Sequence, residues 1–179
     1  MKKWAQLFML TGTLISLTSC KKSEGTVEAV GQETEKQVFS YLDALTKAEK
    51  TAYERFFKEK NIQALEAFAP EKIIVIYLHS VVIDDVEAIR ALTYNDGTLP
   101  YLDLFRETYY TKGWSQQEAD ATLDYRFYDE IKIQDENKTE DSVTAEIQIT
   151  YGLRTNATLY TLKKQENIWK LDIWQGMAE

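Results

Sequence analysis

His79 is the only imidazole in a chain of 179 residues, and Asp84 and Asp85 follow it by about one helical turn or more. A histidine beside a carboxylate can act as a general base, because its ordinary pKa lies near neutrality and the acid orients the ring. The functional reading is a pocket base at His79 working with Asp84. The plainer reading, which the sequence favours, is a part-buried histidine satisfied by a backbone carbonyl or a neighbour. Asp135, Asn137, Thr139, Asp141 and, at the twelfth position, Glu146 have the spacing of calcium-loop ligands. Glu140 stands where that loop needs glycine for its sharp turn, and the flanks are strand-like. A solvated hairpin turn is expected there, with no metal. Aromatic residues are plentiful, and rings at this density can line a sugar- or peptide-binding groove. Tyr109, Tyr110 and Trp114 are the candidates for an exposed mouth, and the other rings are expected to fill a helix–sheet core. Arg126 and Arg154 lie among acids, where weak surface ion pairs are the default. No cofactor is expected.

Composition narrows the function further. The chain is 44% hydrophobic and 28% charged, which excludes a disordered tail and a polytopic membrane protein. Its net charge of −8 makes nucleic acid a poor partner. One cysteine and one histidine leave almost nothing for thiolate metal sites or disulfide frameworks. Lys2 and Lys3 followed by an apolar run from Trp4 to Leu17 have the shape of a secretory signal, too short and too broken for a stable spanning helix.

The elements that must position the candidates fall into two halves. Residues 21–33 are charged and small, with no apolar period, and read as a tether with a reach of about 20 Å. Val38, Leu42, Leu45, Ala52 and Phe56 set a helical stripe over 34–59. Asn61 can cap a short second helix that Pro70 stops. Residues 71–83 are almost wholly apolar, and seven of the thirteen are β-branched, so a buried strand competes with a helix. Length and the acidic turn that follows favour the helix. Asp84 with Glu87 reads as the cap of a helix over 85–93, and Asn95-Asp96-Gly97 as a turn. A helix over 100–112 is stopped by Gly113, and Ser115-Gln116-Gln117-Glu118 reads as a capping box opening another to about Tyr125. The last third alternates. Phe127, Ile131 and Ile133 share one parity, Val143 to Tyr151 alternate cleanly, and Leu159–Lys164 and Ile168–Trp174 follow. That pattern predicts an antiparallel meander of three or four strands with one wet face, hence an α+β domain.

Two resemblances sharpen this picture. Leu17-Thr18-Ser19-Cys20 resembles the lipobox of bacterial lipoproteins. It implies that residues 1–19 are a cleaved signal peptide and that Cys20 is the lipidated N-terminus, with residues 20–33 as a tether. The mature chain would then lie on the extracytoplasmic face of a cell membrane, with 19 basic against 29 acidic side chains and no free thiol. The stretch Pro70 to Leu92 (PEKIIVIYLHSVVIDDVEAIRAL) and the closing Trp169-Lys170-Leu171 resemble the NTF2-like (cystatin-like cone) superfamily. Over 70–179 this implies N-terminal helices closing one mouth of a curved antiparallel sheet around an apolar pocket, with 34–69 as a helical extension. Enzymes of that superfamily place an Asp, His or Tyr inside the cone. The expected function is non-catalytic binding of a small molecule or a protein. The alternatives are a pocket enzyme of isomerase, dehydratase or hydrolase type using His79 with an aspartate, and an interaction module docking through helix 34–59.

Overall fold

A computed structural model describes residues 39–136 and 138–178. The signal, Cys20, the tether and Val38 lie outside the described residues, as does Asn137.

The helix expected over 34–59 is broken. Tyr41–Ala44 form one 3-10 turn, the backbone is extended at Leu45 and Thr46, and helix α1 (Lys47–Glu59) begins only afterwards. Side-chain oxygens cause the break. Ser40 accepts from the Leu42 N–H at 3.2 Å. Thr46 and Glu49 form a reciprocal capping box, with the Glu49 carboxylate 2.7 Å from the Thr46 nitrogen. Such local bonds offer the backbone an alternative to a continuous helix. Asn61 caps the 3-10 turn Ile62–Leu65, as its position suggested.

Helix α2 (Pro70–Val82) opens with Pro70 at its first position. Ile73 to Leu78 are buried without a gap, so nearly the whole circumference is covered, the signature of a central helix. Burial outweighs the strand preference of its β-branched residues. The helix ends where Asp84 takes a left-handed φ of 55°. Asp85, one residue later than expected, is the cap of α3 (Val86–Leu92), its carboxylate accepting from the Ala88 N–H at 3.0 Å. The Asn95–Gly97 turn forms, with Asn95 Oδ1 accepting from the Gly97 N–H at 2.8 Å and Gly97 at a φ of 102°. Helices α4 (Leu102–Thr111) and α5 (Trp114–Tyr125) follow, separated by Gly113 at a φ of 80°.

Four strands then form an antiparallel meander in chain order: β1 (Glu130–Gln134), β2 (Ser142–Tyr151), β3 (Arg154–Gln165) and β4 (Ile168–Leu171). Val143, Ala145, Ile147 and Ile149 of β2 turn inward, while the residues between them stay partly wet. Helix α2 packs on β1, β2 and β4, and α5 packs on β2. The fold class is therefore α+β. Phe127 falls outside the sheet and is 65% exposed, because β1 starts three residues later. The last strand ends at Leu171 instead of running to Trp174, and a short helix α6 (Trp174–Ala178) replaces its end. The helical turn lets Trp174 bury its ring against Phe105, 5.6 Å away between centroids.

Tyr41, Leu45, Phe56, Leu65 and Phe68 belong to the same buried cluster as α2 and the sheet. The described part of the 34–69 segment thus shares its core with 70–178. Phe56 is fully buried and Leu42 half-buried, so the apolar stripe offered for docking faces inward at these positions.

Candidate functional site

The early end of β4 creates the site. It pairs with β3 only at 162–165, so among the described residues β3 has no partner strand on that side at 158–160. Helix α5 runs beside this gap. The space between is a cleft of about 300 Å³ lined by Trp114, Glu118, Tyr125, Tyr160 and Asp172, with Ala121 and Gln117 on the helical side. Helix α5 is fixed from behind by Tyr41, whose hydroxyl donates to the Thr122 carbonyl at 2.6 Å.

Glu118 is the unusual member. The residue is only 5% exposed, yet among the described residues its Oε2 has no hydrogen-bond partner, and neither does the nearby buried hydroxyl of Tyr77. Burial holds the Glu118 carboxyl above the usual carboxylate range, and the nearby hydroxyls of Tyr77 and Tyr160 offset part of that rise. The effect is mutual. Tyr77, Tyr109 and Tyr160 are raised by burial and then by the Glu118 charge. The ring of Tyr160 meets that of Tyr77 at 6.1 Å and that of Tyr125 at 6.4 Å, both edge-on. A lone acid enclosed by tyrosines costs stability wherever it sits, and such perturbed groups concentrate at functional sites. Ionised, this carboxyl can accept hydrogen bonds from a ligand. Protonated, it can give a proton or donate a bond.

Sequence reasoning assigned Glu118 to a capping box. The structure overturns that, because α5 begins at Trp114 behind Gly113 and, among the described residues, no side chain caps it. Trp114, Glu118, Thr122 and Tyr125 recur at helical spacing, so an acid on an otherwise inward-facing stripe was the available signal.

The mouth expected from Tyr109, Tyr110 and Trp114 does not form as a unit. Tyr109 is core, 1% exposed and stacked on Phe105 at 6.4 Å. Tyr110 is part-exposed, and its hydroxyl donates to both carboxylate oxygens of Asp84 at 3.0 Å. Of the three, only Trp114 lines the cleft.

His79 is half-buried, with its ring edge-on to Tyr53 at 5.6 Å and its pKa lowered by burial. It shares an open groove of about 620 Å³ with Asp84 and Asp85. Asp84 is engaged by Tyr110, and Asp85 is held by the Lys60 ammonium and the Ala88 N–H. No hydrogen bond or ion pair joins His79 to Asp84 among the described residues, so the proposed base has no acid to orient it. The calcium-like spacing likewise resolves into a hairpin: Glu146 on β2 accepts from Gln134 at 2.7 Å and from Gln148 at 2.8 Å. Among the described residues no cluster of three or more His, Cys, Asp or Glu is placed to hold a metal ion. Nor is any described helix long and apolar enough to cross a membrane.

No protein-family model matches the chain, and no curated protein matches it.

Proposed function

We propose that the chain is an extracytoplasmic lipoprotein, anchored to a bacterial cell membrane through Cys20, whose NTF2-like domain binds a small ligand in the cleft between α5 and β3. The observation that carries this reading is the buried Glu118 carboxyl, whose Oε2 has no hydrogen-bond partner among the described residues, in an aromatic-lined cavity. Ligand pockets combine such apolar walls with a few polar groups, and about 300 Å³ is the lower end of their size range. The arrangement of helices over one face of an antiparallel meander supports the NTF2-like reading, since a cone of that kind leaves its pocket between helix and sheet. The groove at His79 is larger, but its acids already have partners.

Filling the cleft tests the ligand site. Ala121→Trp on its wall, or Gln117→Trp at an exposed position on its rim, should abolish the rise in melting temperature that a bound ligand gives by mass action. An undiminished rise in both folded variants would place the ligand elsewhere.

The anchor has its own test. One acyl chain gives only marginal membrane binding at about 0.8 kcal/mol per buried CH₂, whereas two or more hold stably. Cys20→Ser in the full-length chain should shift the protein from the membrane fraction to the soluble fraction. A variant still sedimenting with membranes would contradict lipidation at Cys20.

A further inference from the structure

The charge of the cleft wall is one-sided. Glu118 and Asp172 line it, and among the described residues no lysine, arginine or histidine does. Asp172 is paired with Lys163 at 2.7 Å, but the Lys163 ammonium belongs outside the lining, over the Tyr94 ring at 5.2 Å. Glu118 has no such counter-ion among the described residues. Around it stand Tyr77 from α2, Tyr109 from α4 and Tyr160 from β3, all neutral, and among the described residues no cation acts on the carboxyl. Trp114, Tyr125 and Tyr160 supply the rest of the wall, and aromatic faces attract cations through their quadrupoles.

An anionic ligand would meet two acids and no base in this cleft. A neutral one would leave the buried carboxyl without its missing charge partner. We propose that the cleft takes a protonated organic amine with a small apolar body, its ammonium hydrogen-bonded to the Glu118 carboxylate and its body against Trp114, Tyr125 and Tyr160. This identification of the ligand class rests on the cleft being the ligand site. Charge-assisted bonds to a carboxylate are roughly twice as strong as neutral ones, and low dielectric increases the difference. Because the amine needs the carboxylate form, binding expels the Glu118 proton and tightens as pH rises toward neutrality.

Three isosteric probes separate the possibilities: 3-phenylpropylammonium, 3-phenylpropanol and 3-phenylpropanoate, titrated calorimetrically into the full chain in non-ionic detergent. The ammonium should bind about tenfold more tightly than the alcohol, with the carboxylate weakest. Its affinity should increase as pH rises through the raised Glu118 titration, and Glu118→Gln should flatten that dependence and remove most of the preference. Equal or tighter binding of the alcohol or the carboxylate would overturn the amine assignment, as would no ammonium binding at millimolar concentration. The cleft variants Ala121→Trp and Gln117→Trp distinguish the two failures. If they abolish binding of a preferred neutral or anionic probe, the cleft stands and only the ligand class falls. If ammonium binding survives both, the cleft itself is the wrong site.

Discussion

Phe56→Ala is expected to destabilise the fold by about 3–5 kcal/mol, a large share of the roughly 5–15 kcal/mol available to a domain. Phe56 is fully buried and lies in one cluster with Leu65, Phe68 and the residues of α2. Truncating it removes the transfer free energy of a benzyl group and leaves a cavity that the surrounding core can only partly close. Phe57, the next residue, is 40% exposed and provides the control. Phe57→Ala should cost only about 1 kcal/mol, the loss of its stacking on Tyr53 at 6.0 Å and of its contact with the Lys60 ammonium at 4.6 Å. Urea midpoints of the two variants measure the difference. Comparable small losses would mean that α1 is an appendage and that the core closes without it.

The second large effect has the opposite sign. Glu118→Met should stabilise the protein at neutral pH by about 1–3 kcal/mol, the usual cost of a buried polar group without a partner. Met fills similar volume and carries no charge to desolvate. Glu118 has a folded-state pKa above its unfolded value, so the folded protein holds the proton more tightly than the unfolded chain. Stability linked to this group is therefore complete below the ordinary glutamate range and falls as pH rises through the raised pKa. The advantage of the Met variant should accordingly widen from acidic to neutral pH. Parallel urea titrations at several pH values give the comparison. A Met variant less stable than the parent at every pH would mean that the carboxyl is a satisfied structural group rather than one kept for a ligand.

Much of the architecture was legible because burial imposes periodicity. The alternation of Val143 to Ile149 specified β2 and its inward face, and the apolar run 71–83 located α2 to within a residue at each end. What misled was local chemistry with two outcomes. Ser115 and Glu118 have capping-box spacing, but so does any pair three apart on a helix, and Gly113 had already ended α4. Conversely, the true box at Thr46 and Glu49 lay inside an apolar stripe that ran on past it, so the break at Leu45 was invisible to a periodicity argument. Residues 172–174 continue a strand-like pattern, yet the ring of Trp174 reaches Phe105 from a helical turn. That packing depends on where α4 lies, which no local window contains. The same limitation hid the cleft. It exists because β4 stops four pairs into β3, and strand length against a partner is a tertiary property. His79 drew notice by its rarity, whereas Glu118 was one acid among many until its surroundings were known.

The most direct measurement is a crystallographic soak of the protein with small organic fragments, cationic ones included. Fragments should occupy the cleft between α5 and β3 with a polar atom in hydrogen-bonding contact with the Glu118 carboxyl. Fragments that settle in the groove of His79, Asp84 and Asp85 while the Glu118 cleft stays empty would contradict the account.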